Sequence, residues 1–156
     1  MTSIYKDYFS YVNKWKQIYG EKTLVLMEVG KFYEIYALKD HKGIMHENDM
    51  DAIERISYLN IGDKKYEYKK MKVYQAGLPV TAFDKYIKIF QENGYTCVIY
   101  EQDSPGKNAT RSLSQIISPG TYIEDETNSI SNVTLCIWIE HTKSKMRMKE
   151  SLTFGV

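Results

Sequence analysis

The chain has 156 residues, 43% apolar and 26% charged, which is enough to bury one core and to begin a second unit. A net charge of +1 excludes a global basic field, so any nucleic-acid contact must come from a local patch. No run approaches the roughly 20 apolar residues of a membrane span, and no charged start with an apolar core marks a secretory leader; the expectation is an intracellular chain with no membrane partner, its compartment unspecified.

Residues 4–19 place Ile4, Tyr8, Tyr11, Val12, Trp15, Ile18 and Tyr19 at steps of three and four, an amphipathic helix opened by Thr2 or Ser3 and closed by Gly20. Two runs rich in β-branched and aromatic residues follow, Thr23–Val29 and 32–37, and Gly30 between them predicts a hairpin or sharp bend. Alternation puts Phe32, Glu34 and Tyr36 on one strand face and Tyr33 and Ile35 on the other. A phenylalanine beside a carboxylate suits neither a core nor a solvated face. Displayed at a glycine turn, the pair makes a surface that inserts one group and hydrogen-bonds with the other. Taken singly, Phe32 reads as core and Glu34 as a solvated strand residue.

Residues 37–47 carry Asp40, His41, Lys42, Gly43 and His46 without periodicity and read as a polar connection; no ligand set stands at zinc-like spacing around the histidines. Asn48 or Asp49 caps a second helix with Met50, Ile53, Ile56 and Leu59 as its apolar stripe, ended by Asn60-Ile61-Gly62-Asp63. Residues 64–72 interleave five lysines with Tyr66, Tyr68 and Met71. One reading is an edge strand protected by its lysines, the other a ribbon facing phosphates. Residues 73–79 lead into a third helix, where Thr81 and Asp84 imitate a capping box, Phe83, Tyr86, Ile87 and Phe90 form the buried stripe, and Gly94 closes it.

Residues 95–101 are a continuous apolar strand of the kind covered on both faces. Gln102 to Ala109 is turn chemistry, and its Gly106-Lys107 fails as a phosphate loop because Glu101 and Asn108 replace the required glycine and hydroxyl residue. Residues 110–118 predict a further strand before Pro119-Gly120, and 124–129 an acidic linker. Val133, Leu135, Ile137 and Ile139 alternate as a strand, His141 to Lys149 reads as a basic turn region, and 151–156 as the start of another strand. Cys97 and Cys136, each with apolar flanks, read as buried free thiols. The fold class is α/β, a mixed β-sheet of about five or six strands with helices packed on it.

Gly30-Lys31-Phe32-Tyr33-Glu34 resembles the Gly-x-Phe-Tyr-Glu motif of the DNA mismatch repair MutS family, in its N-terminal mismatch-recognition domain. The resemblance continues in order through Asp51-Ala52 with Leu59 and Ile61, Ala76-Gly77-Leu78-Pro79, Gly94 to Glu101-Gln102, and Arg111 followed by Ile116 to Thr121. Lys31 stands where bacterial members commonly carry an acid, and Val80-Thr81 replaces a frequent Tyr-His.

The resemblance implies a recognition domain over 1–124, a linker over 125–131 and the opening of a connector domain over 132–156. It implies Phe32 as a minor-groove wedge and Glu34 as the group that hydrogen-bonds the displaced base. Lys31, Lys69, Lys70 and Lys72 are the candidate backbone contacts. The implied partners are duplex DNA with mismatches or small loops and a second MutS-type subunit. ATP and magnesium are implied for a full-length parent, with no cofactor in this segment. Two other classes are a protein-interaction module of a larger DNA-repair ATPase and a nuclease-like enzyme. The latter needs clustered carboxylates, whereas Asp40, Glu47, Asp49 and Asp51 sit in loop and helix-start context where capping explains them.

Overall fold

Helix α1 (Ile4–Tyr19) buries Tyr8, Phe9, Val12 and Trp15 along one stripe, as the three-and-four spacing requires, in a computed structural model that describes residues 4–104, 106, 109–120, 137–144 and 149–155. The chain divides into two units, Met1–Thr121 and Tyr122–Val156. Strands β1 (Thr23–Val29) and β2 (Phe32–Lys39) form the expected hairpin, with β2 running two residues further than its apolar run suggested. The polar connection holds a two-residue strand, β3 (Met45–His46), paired with the end of β2. His46 Nε2 lies 3.0 Å from an Asp40 carboxylate oxygen, while the other oxygen accepts the Lys42 and Ile44 amides. Asp40 thus organises this turn.

Helix α2 (Met50–Ser57) is capped by Asp49, whose carboxylate accepts the Ala52 amide at 3.0 Å. It ends earlier than expected, because Tyr58 adopts a left-handed conformation with φ of 57°. Leu59 is therefore buried from beyond the helix. The next region corrects the reading of 64–72 as one strand. Strands β4 (Ile61–Tyr68) and β5 (Met71–Pro79) form a hairpin whose two turn residues, Lys69 and Lys70, both have positive φ. Neither is the glycine or asparagine such turns favour, so the turn left no sequence signal. The edge-strand reading holds for β4, which borders the sheet.

A short 3₁₀ turn (Val80–Ala82) then leads into α3 (Phe83–Glu92). The Thr81–Asp84 capping box does not form: Ala82 occupies the cap without a side-chain bond. The 3₁₀ entry moves the helix start past Thr81. Strand β6 (Thr96–Gln102) is buried from Thr96 to Tyr100 and lies parallel to β1, with β7 (Arg111–Ile117) antiparallel on its other side. The sheet order is β4-β5-β2-β1-β6-β7, with β3 outside that path. Counting β3, the sheet has seven strands, one more than the upper expectation.

Alternation sorts the core into two layers. Val25, Met27, Tyr36, Leu38, Val73 and Val98 meet α1. Leu24, Leu26, Ile35, Leu78 and Ile99 face the other way, the side on which Tyr33 meets Phe83 of α3 at 4.9 Å between ring centres. In the second unit, β8 (Trp138–Ser144) pairs antiparallel with β9 (Lys149–Gly155). His141 therefore lies within a strand, not in the expected turn region. Linker 125–131, Cys136 and the start of the strand expected from Val133 lie outside the described residues. No helix among the described residues is long and apolar enough to cross a membrane.

Phe90 is fully buried, so Phe90→Ala is expected to lower urea stability by about 3–5 kcal/mol; a change below about 1 kcal/mol would contradict this packing. Burial pushes the Cys97 thiol up to about 12. Cys97 should therefore resist iodoacetamide at pH 8 in the native protein and react in denaturant, a contrast that mass spectrometry of its peptide reads directly.

Candidate nucleic-acid interface

Gly30 and Lys31 form the two-residue turn between β1 and β2, and Val29 and Phe32 are Cα partners across it. Gly30 has φ of 64°, the left-handed value that a type II′ hairpin needs at its first central position. Lys31 is exposed at the tip. Its carbonyl accepts the Val80 amide at 3.0 Å, which ties the turn to the end of β5, where Pro79 is the partner of Phe32.

Phe32 is 46% exposed, whereas each residue from Tyr33 to Leu38 on the same strand is buried. The core reading that Phe32 receives in isolation is therefore corrected. The cause lies in the reach of α1: its Tyr5 ring meets Tyr36 at 5.1 Å, and Phe32 lies four strand residues further on, about 13 Å. The ring leans over Gly77, where an added Cβ would lie 3.9 Å from Phe32 Cδ1.

Glu34 is only 8% exposed, which corrects its reading as a solvated strand residue. The Tyr36 hydroxyl donates to its carboxylate, and Lys64 Nζ lies 3.4 Å from both carboxylate oxygens. Burial first, and then the charge of Glu34, raises the Tyr36 phenol above the ordinary tyrosine range, so this hydroxyl stays a donor. The Tyr36 backbone carbonyl accepts from Asn48 Nδ2 at 2.7 Å, and its ring meets Tyr8 edge-on. Glu34 thus has a fixed rear shell. A carboxylate has about four acceptor positions, so two donors leave capacity for another.

Lys64 is the site residue that sequence reasoning did not single out from its lysine-rich run. It sits where the β4–β5 register shifts between Asp63 and Glu67. The Asp63 carboxylate accepts the Lys65 amide, and Lys65 has φ of 52°. Such a bulge re-aims a side chain, and only strand pairing reveals it.

The other candidate lysines are not brought to Phe32. Lys72 is the Cα partner of Lys39, and Phe32 partners Pro79 at the opposite end of the same pairing. The seven steps from residue 32 to 39 span about 23 Å. Lys69 and Lys70, in the β4–β5 turn, lie further still. Of the four candidate backbone contacts, Lys31 alone adjoins Phe32 in the chain.

Lys64→Met leaves the buried Glu34 with one donor and is expected to cost about 1–3 kcal/mol in urea unfolding. Adding Glu34→Gln should recover part of that loss. No recovery in the double variant would mean that Lys64 contributes through something other than the carboxylate.

Residues 8–126 match the family described as MutS domain I. A DNA mismatch repair protein mutS homolog of Acanthamoeba polyphaga mimivirus is 32% identical over 155 residues, 99% of this chain and 14% of the relative. DNA mismatch repair protein MutS of Thermosipho melanesiensis is 31% identical and that of Fervidobacterium nodosum 29%, each over 85% of this chain and 14% of the relative. The chain thus spans about one seventh of the length of these relatives. The motif series, the sheet that carries it and the match over most of the sequence agree, and the chain belongs to the MutS domain I family.

Proposed function

We propose that this chain recognises mispaired duplex DNA, with Phe32 entering the minor groove and stacking on the mispaired base while Glu34 hydrogen-bonds the base it displaces. The observation that carries the reading is a half-exposed phenylalanine opening a strand whose next six residues are buried, in a chain whose relatives are named DNA mismatch repair proteins. An apolar wedge unstacks a base step at a cost of a few kcal/mol and kinks the duplex. The cost falls where pairing is already defective, so the preference is partly a reading of deformability.

Glu34 supplies the second half of the selectivity. A carboxylate near phosphates is electrostatically unfavourable, and the Lys64 ammonium beside it offsets part of that repulsion. The contact becomes favourable where a displaced base donates a hydrogen bond. An intact duplex presents no such base, so the penalty stands there and widens the gap between right and wrong substrates. Lys31, exposed at the turn next to Phe32, is the cation we assign to phosphates flanking the wedge. Lys69, Lys70 and Lys72 touch phosphate only about 23 Å or more along the sheet from Phe32, about seven base pairs away on a duplex running parallel to it.

This chain's part is recognition, not catalysis. ATP, magnesium and a second MutS-type subunit belong in this reading to the remainder of the full-length protein.

In the full-length protein, Phe32→Ala is expected to bring the preference for a single-mismatch duplex over a matched one close to unity in salt-titrated competition. The same change should cost only about 1 kcal/mol of stability, since half of the ring is already in water. A loss of several kcal/mol would return Phe32 to the core and defeat the wedge. Glu34→Ala should narrow discrimination more than it weakens total binding; unchanged discrimination would remove Glu34 from the mechanism. Absent DNA binding, together with salt-insensitive affinity for a protein, would favour an interaction module instead.

A further inference from the structure

The ladder between β1 and β6 ends at Met27 and Tyr100, two residues short of the hairpin turn that carries Phe32. Beyond that point, side chains take over the pairing. The Gln102 side-chain carbonyl accepts the Gly30 amide, and the Gln102 amide donates back to a Glu28 carboxylate oxygen at 2.9 Å. The arrangement is reciprocal, each strand end offering one side chain to the other's backbone. From β7, Arg111 Nε donates to the Glu28 carbonyl at 2.7 Å and Nη1 to the Ala109 carbonyl at 3.1 Å. The Tyr33 hydroxyl donates to Glu101 at 3.2 Å.

Gly30 is where such a bond matters most. In a two-residue hairpin the strand residues flanking the turn bond to each other, leaving the amide of the first turn residue without a ladder partner. Gly30 is also the most conformationally permissive point of the turn. A wedge that unstacks a base step must be pre-set, because a tip that reorders on binding loses the gain to conformational entropy.

We infer that Gln102 is a positioning residue for mismatch recognition: it fixes the Gly30-Lys31 tip so that Phe32 is held ready for insertion. The inference rests on the reading of Phe32 as the wedge. Glu28 acts as the reciprocal half of the clamp, and Arg111 braces it from the neighbouring strand. Phe32 therefore depends on a side chain that reaches the Gly30 amide from 72 residues away.

The test is competition of the full-length protein between matched and single-mismatch duplexes of one length, for Gln102→Leu and Phe32→Ala. Gln102→Leu should lower the mismatch-over-match ratio by about threefold to tenfold, the worth of one hydrogen bond. Hydrogen exchange at the Gly30 amide should accelerate in Gln102→Leu. Glu28→Ala should reproduce the loss in ratio, and Glu28→Gln, which keeps an acceptor for the Gln102 amide, should restore it. This second pair decides the matter if Gln102→Leu fails to fold. An unchanged ratio in Gln102→Leu and Glu28→Ala would overturn the positioning role while leaving the wedge standing. An unchanged ratio in Phe32→Ala would overturn the wedge itself.

Discussion

The pairing of Val29 with Phe32 across a two-residue turn is the constraint on which the rest of the site depends. Strand side chains alternate, so a slip of one residue would send Phe32 and Glu34 to the α3 face and bring Tyr33 and Ile35 to the α1 face. Three neighbours hold the register: β5 along the whole length of β2, the Lys31–Val80 bond at the tip, and the Gln102–Gly30 bond on the β1 side. Glycine at position 30 allows the turn its left-handed step, and neighbouring segments bond to both residues of the turn.

Along one face of β2 the environment changes from core to surface within a few residues. Tyr36 is enclosed by Tyr5 and Tyr8 of α1, Glu34 is covered but retains acceptor capacity, and Phe32 stands beyond the helix. This gradient gives each residue a different environment. Tyr36 supplies a hydroxyl that remains protonated, Glu34 an oriented carboxylate, and Phe32 an apolar surface already half in water. Lys64 enters the arrangement from the edge strand through an irregularity in its pairing. The result is a carboxylate held by two donors behind a half-exposed ring.

Much of the frame was legible. The three-and-four spacing of α1, the runs around Gly30, the Asp49 cap and the apolar stretch of β6 each reflect a local rule, and each recurs in the structure within two or three residues. Where local rules misled, the cause was local chemistry overridden by pairing. Lys69 and Lys70 accept positive φ because β4 and β5 pair on either side of them. Thr81 loses its capping role because the chain enters α3 through a 3₁₀ turn.

The sequence by itself determined that a strand of this chain would carry Phe32 and Glu34 on one face beside a glycine turn, because period-two alternation and the conformational freedom of glycine are properties of the local chain. Only the tertiary structure decided that Phe32 lies outside the core, that Glu34 lies under cover with Lys64 against it, and that Lys69, Lys70 and Lys72 lie at the far end of the sheet. Burial and charge neighbours depend on which part of the sheet α1 covers and which strands become adjacent. Those neighbours come from residues 30 and 72 positions away, which no local pattern records.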